Sequence, residues 1–197
     1  SKAMNIFYLS DDPQICAKQH CDKHTVKMCV EYAQLLSTAH RVLDGEEYTV
    51  IQNGRRLKRW KHPNMWYDKD LMLASHINHP SNKWVRESHT NYWWLCNLLH
   101  CLLKEYTHRY GKEHGAKENW WIFRNPPKNM PSLGKTTPVP QAMQAFPECM
   151  VKGDSVQAYR NFYVKAKRSF ATWKERPTPK WYMTQSQSGI MIGCSGK

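Results

Sequence analysis

The spacing of apolar and polar positions divides the chain into long helical stretches joined by irregular ones. Residues 5–9 (NIFYL) form a short apolar run, a strand or a buried extended lead-in. The sequence Ser10-Asp11-Asp12-Pro13 breaks it. Asp12 suits an N-cap, and Pro13 suits the first helical position. From residue 13 to residue 36 the spacing predicts one long helix. At about 100° per residue, His20, His24, Lys27, Glu31 and Gln34 fall on one line, with Lys23 at its edge. Most of the remaining circumference is apolar, including Ile15, Cys16, Cys21, Val26, Met28, Cys29, Val30, Leu35 and Leu36. That pattern predicts a helix buried on most sides that turns a narrow titratable line toward a cleft. The competing reading is a solvated stripe holding one i,i+4 pair, Lys27 with Glu31.

Asp44-Gly45 marks a turn. Two arms then flank Asn53-Gly54, a strong hairpin signal, and the second arm carries Arg55, Arg56, Lys58 and Arg59. A loop rich in Trp, Tyr, Met and His spans residues 62–78. Asn78-His79-Pro80 opens a second long helix that runs to about Tyr110, where Gly111 stops it. Its seam is Trp84, Ser88, Asn91, Leu95, Leu98, Leu102 and Tyr106. Ser88 and Asn91 interrupt an apolar stripe and need partners. The polar line of the first helix is the expected partner, with Arg86 on the same half. Residues 126–147 hold six prolines and read as an irregular crossover. Asp154 caps a third helix with Val156, Tyr159, Tyr163, Ala166, Phe170 and Trp173 inside and Arg160, Lys165, Lys167 and Arg168 outside, ending at Arg176-Pro177. The expected fold is mainly α: a compact bundle of three long helices with a small β-hairpin and an irregular Pro-rich crossover. Residues 4–182 form one domain. Residues 183–197 read as a flexible tail, and residues 1–3 as an expression remnant before Met4.

Composition adds direction. The 197 residues carry a net charge of +13, which points to a polyanionic partner, DNA first. Nine Trp and ten Tyr argue against disorder over most of the chain. No apolar run approaches the length of a membrane span, and no protein partner is implied. Seven cysteines, an odd number without C-x-x-C, do not make a disulfide framework and fit a reducing cytoplasm.

The stretches HCDKHTVKM, HPSNKWVRESHTNYWWL, EYTHRYGKEH and DSVQAYRNFYVKAK resemble a family of uncharacterised proteins of tailed phages and their hosts. More distantly, the layout is similar to the phage pyrimidine-dimer DNA glycosylases. The matching pieces are Lys18-Gln19-His20, the helix after His79-Pro80, and Arg176-Pro177 followed by Trp181-Tyr182. That resemblance implies an all-helical domain that binds duplex DNA on a basic face, flips a nucleotide and cleaves the glycosidic bond through an imine. His20 is the site residue it carries across directly. The family's catalytic glutamate falls in register with Lys27, with Glu31 one turn later. The family's nucleophile is an α-amine freed by loss of the initiator Met, and here Asn5 follows Met4.

The expected site therefore has Lys23 or Lys27 as the amine, Glu31 as acid or base, and His20 and His24 as proton carriers. His79, Arg86, Ser88, Asn91 and Tyr92 are expected to hold the substrate. Arg55, Arg56, Lys58, Arg59, Arg160 and Lys167 are expected to meet phosphates. No cofactor is expected. One alternative is a metal-dependent hydrolase that uses His20, His24 and His79. Another is a DNA-binding protein without catalysis. Cys21 and Cys29 read as buried structural thiols.

Overall fold

The structure, a computed structural model, describes residues 4–131 and 134–188. Residues 1–3, expected as an expression remnant, and residues 189–197 of the expected tail lie outside the described residues. The helices are α1 (Pro13–Gln19), α2 (Asp22–Asp44), α3 (Met65–Asp70), α4 (Pro80–Val85), α5 (His89–Tyr110), α6 (Trp120–Phe123), α7 (Ser155–Ala166) and α8 (Lys180–Ser188). Strands β1 (Glu46–Gln52) and β2 (Arg55–Lys61) make one antiparallel sheet. The protein is mainly α, as the spacing implies. The tail departs from expectation, since α8 carries helix through residues 183–188.

Each of the three long helices is shorter or more broken than periodicity predicts. The first parts at His20 and Cys21, both extended, with ψ of 132° and 165°. Tertiary partners take the backbone groups the break leaves over. Trp173 Nε1 donates to the Gln19 carbonyl (2.8 Å), Arg109 to that of Lys18 (3.0 Å), and Cys21 N–H to the Tyr163 hydroxyl (3.2 Å). The second helix parts between Val85 and His89. Ser88 is the N-cap of α5 rather than a seam residue: its backbone is extended and its Oγ accepts from Asn91 N–H (3.1 Å). The third ends at Ala166, yet Trp173 still packs into the core from the turns that follow.

The hairpin matches expectation. Gln52 pairs with Arg55 across a two-residue turn, and Asn53 and Gly54 both take positive φ, 52° and 74°.

Helices α2 and α5 run antiparallel. Asp22 meets Arg109 at one end (3.0 Å) and His40 meets Tyr92 at the other (2.8 Å). Residues 4–9 thread this helical core as an extended segment outside any sheet, with Met4, Ile6, Phe7 and Leu9 buried. Side chains satisfy its backbone. The Tyr32 hydroxyl accepts from Phe7 N–H, Ser81 Oγ donates to the Met4 carbonyl and Arg160 Nε donates to that of Leu9.

A buried ionic cluster locks the α1–α2 junction to the C-terminal segment. Glu105 accepts from Arg109 Nε (2.8 Å) and from Arg176 Nε and Nη2 (both 2.9 Å), and Arg109 continues to Asp22. Removing one member strands the others out of water. Glu105→Ala should cost about 3–5 kcal/mol of unfolding free energy in urea at neutral pH. A loss below about 1 kcal/mol would show that the two arginines find other partners.

Candidate functional site

The polar line of the first helix survives only within α2, and most of it is enclosed. His20 lies in the break, off the line and fully buried. Its Nδ1 meets the Cys16 carbonyl (2.8 Å) and its Nε2 the Tyr32 hydroxyl (2.7 Å), so both ring nitrogens are spent on the fold. Desolvation pushes its pKa down to about 4. His24 is buried, stacked on Phe7 with ring centroids 4.1 Å apart, and its Nδ1 meets the Tyr163 hydroxyl at 2.6 Å. Desolvation, followed by the charges of His20, Lys167, Lys27 and Lys23, pushes its pKa down to about 2. Neither imidazole is placed to carry protons for a substrate. Lys23 and Lys27 are exposed, and Glu31 is buried with its Oε2 3.5 Å from Lys27 Nζ.

The residues expected to face this line from α4 and α5 are elsewhere. Tyr92 sits opposite His40, sixteen residues beyond His24 on α2, about 24 Å at 1.5 Å per residue. Its buried hydroxyl donates to the Phe123 carbonyl (2.7 Å), so it cannot stack on a base. Asn91 is buried and holds the crossover: its Nδ2 donates to Trp84 O and Thr137 Oγ1, and its Oδ1 accepts from Thr137 N–H. Arg86 donates to the Ile77 carbonyl (2.6 Å). His79 caps α4 by accepting from Ser81 N–H, so His20, His24 and His79 do not assemble as a metal set. A different group, His40, Asp44 and His62, does bring its ligand atoms within 4.8 Å of one another.

Of the expected phosphate contacts, Arg55, Arg56 and Lys58 are exposed on the hairpin, with Arg59 half-buried beside them. Arg160 instead spends its Nε on Leu9 O and lies over the Trp181 ring. Burial pushes the Cys29 thiol up to about 12, which leaves it an inert core group.

Lys167, expected as a surface cation, is the residue that periodicity misplaced most. It is the C-cap of α7 and half-buried, with Nζ 4.6 Å from the centroid of Phe162 and 5.8 Å from that of Phe7. Lys23 lies over Phe170 at 4.4 Å, and Lys167 reaches the same ring at 5.9 Å. Among the described residues no carboxylate pairs with Lys167. Its pKa is lowered, first by desolvation and then by Lys27 and Lys23. Lys167 lines a cavity of about 510 Å³ together with Asn5, His79, Phe146 and Phe162. The cavity thus joins an aromatic wall, Phe146 and Phe162, to an amine of lowered pKa. Phe162 and Phe170 beside Lys165 and Lys167 were the available sequence signal, but Phe7 comes from a segment more than 150 residues away.

No family model, curated protein or solved structure matches the chain. No helix among the described residues is long and apolar enough to cross a membrane.

His20 and His24 stay neutral in the fold below the pH at which the unfolded chain takes up their protons, about 6.5. Folding stability is therefore full above about pH 6.5 and falls as the pH drops, toward about 4 for His20 and about 2 for His24. Each histidine contributes up to about 1.4 kcal/mol per pH unit across its window. Urea unfolding at several pH values between 7 and 4 measures the slope, and His24→Phe should remove one proton from it. A slope unchanged in that variant would mean that His24 titrates normally in the fold.

Proposed function

We propose that the protein is a DNA-acting enzyme that works on a damaged or modified base through an imine, with the Lys167 amine as nucleophile. The observation that carries this reading is the half-buried Lys167 Nζ, unpaired with any described carboxylate, at an aromatic-lined cavity. An amine must be unprotonated to attack carbon, and burial among other cations favours the neutral form. In such a reaction the Nζ lone pair attacks the sugar C1′, and the bond from C1′ to the base breaks. The base leaves with a proton, and the sugar ring opens to an imine. The aromatic floor suits a flipped ring. Lys23 and Lys27 flank the amine, and Arg55, Arg56 and Lys58 on the projecting hairpin suit phosphates farther along a duplex. Glu31, a buried carboxylate on the helical face of His24 and Lys27, is the candidate acid or base. The resemblance to pyrimidine-dimer glycosylases agrees with this chemistry but places the amine on a different residue.

The exposed basic hairpin also supports a second reading, a DNA-binding protein without catalysis. Borohydride added during incubation with irradiated or base-modified duplexes separates the two. The first reading expects a covalent adduct that disappears in Lys167→Met, while Lys27→Met keeps it and duplex affinity falls less than about threefold. Arg55→Glu with Arg56→Glu should weaken duplex binding at least tenfold under both readings. Binding without an adduct across a broad panel leaves only the second.

A further inference from the structure

The end of α2 holds a feature that the base chemistry does not use. His40 is buried, and its Nε2 lies 2.8 Å from the Tyr92 hydroxyl, which itself donates to Phe123 O. With that hydroxyl proton committed, His40 must donate from Nε2. Its Nδ1 is then left as a bare lone pair, and this atom is buried with no hydrogen-bond partner. His62 is buried too, and its Nε2 is likewise without a partner. The two rings lie 6.4 Å apart between centroids, and Asp44 completes a set whose ligand atoms fall within 4.8 Å of one another. Two orphaned buried imidazole nitrogens facing one carboxylate are costly in a protein interior unless something bridges them.

We propose that His40, His62 and Asp44 form a mononuclear site for a divalent transition metal of the zinc class. Two nitrogens and one oxygen suit such an ion and disfavour magnesium and calcium, which prefer all-oxygen shells. Bonds of about 2.0–2.1 Å in a tetrahedron bring ligand atoms to about 3.3 Å from one another, so the site closes by roughly 1.5 Å at most. The surroundings hold the ligands in place. The Tyr92 hydroxyl orients His40, and the Asp44 carboxylate accepts from Lys128 N–H (2.8 Å) on Oδ2 and from Asn129 N–H (3.0 Å) and Nδ2 (2.9 Å) on Oδ1, which leaves one lone pair on Oδ2 for a metal. Tyr67 packs against both imidazoles, at 5.9 and 5.1 Å. Gly45 lets the two chain segments meet, because a Cβ there would collide with the Arg41 carbonyl and lie 3.1 Å from that of Lys61.

His62 must change its tautomer. Its Nδ1 accepts from Asn64 N–H (3.0 Å), which places the ring proton on Nε2. Binding through Nε2 moves that proton to Nδ1, and the N–H of exposed Asn64 turns to water. Asp44 and His62 also line a groove of about 550 Å³ with Glu46, Glu47 and Lys61. An ion held there would have water from this groove available as a fourth ligand, as in zinc centres that activate water. The site is about 24 Å along α2 from His24 and is independent of the Lys167 cavity.

Titration of the full chain with Co²⁺ and Zn²⁺, read by calorimetry and visible absorption, tests the site. The expected result is one equivalent bound and an intense four- or five-coordinate cobalt spectrum that Zn²⁺ displaces. His62→Gln should weaken binding at least tenfold, while His108→Gln, at an exposed histidine, should not change it. The Asn64 amide resonance should shift on Zn²⁺ addition in the parent protein but not in His62→Gln. Sub-stoichiometric binding, an octahedral spectrum, or equal affinity in His62→Gln would each overturn the proposal. His62 directly follows β2, and an unchanged melting transition of His62→Gln without metal verifies that the variant folds.

Discussion

An extended segment without a sheet runs through the middle of this helical protein, and much of the interior is organised to satisfy it. Residues 4–9 bring backbone donors and acceptors into a region closed to water. Each group left unpaired there costs on the order of 1–3 kcal/mol. Polar side chains fill the role that a neighbouring strand would take. Tyr32 holds Phe7 N–H, and His20 holds Tyr32. Ser81 holds Met4 O, Arg160 holds Leu9 O, and Cys16 Sγ donates to Phe7 O. The break between α1 and α2 belongs to the same arrangement, because it releases His20 from the helix and turns it toward Tyr32.

This constraint sorts the polar residues. His20, Asn91, Arg41 and Tyr92 have polar atoms committed to carbonyls, amides or hydroxyls of the fold. Arg41 alone reaches the carbonyls of Trp60, Asp68, Leu71 and Met72 and the Asp68 carboxylate. Such residues resemble a reactive site in composition, but none has an atom left for a ligand. Among the described residues, two places combine spare atoms with a cavity or a set of ligand atoms: Lys167 over its phenylalanines, and His40 facing His62. The two places sit near opposite ends of the same helix, one cationic and aromatic, the other built from nitrogen and oxygen donors.

The hairpin and the helical class were legible in the sequence because they depend on short-range rules. Asn53-Gly54 readily takes the left-handed backbone that a two-residue turn requires, and Asp12 and Asp154 cap helices by contacts within three residues. The site was much less legible. The line through His20, His24, Lys27 and Glu31 assumed an unbroken helix, and a break at residues 20–21 removed its first member. Lys167 read as outward-facing on the same assumption, although α7 ends at Ala166 and the chain turns there. His40 and His62 are 22 positions apart with a hairpin between them, a separation that no periodicity registers.

The amino-acid order by itself determined the mainly helical character, the two-residue turn, the caps and the excess of positive charge. Each of these follows from backbone sterics or from simple counting, and neither depends on what packs where. Only the tertiary structure decided where the long helices break, which polar groups are consumed by the buried segment and which are left over. Those outcomes depend on whether a distant residue, such as Trp173 at Gln19 or Tyr163 at Cys21, arrives to satisfy a donor or an acceptor. A hydrogen bond between residues 142 or 154 positions apart leaves no trace in local spacing.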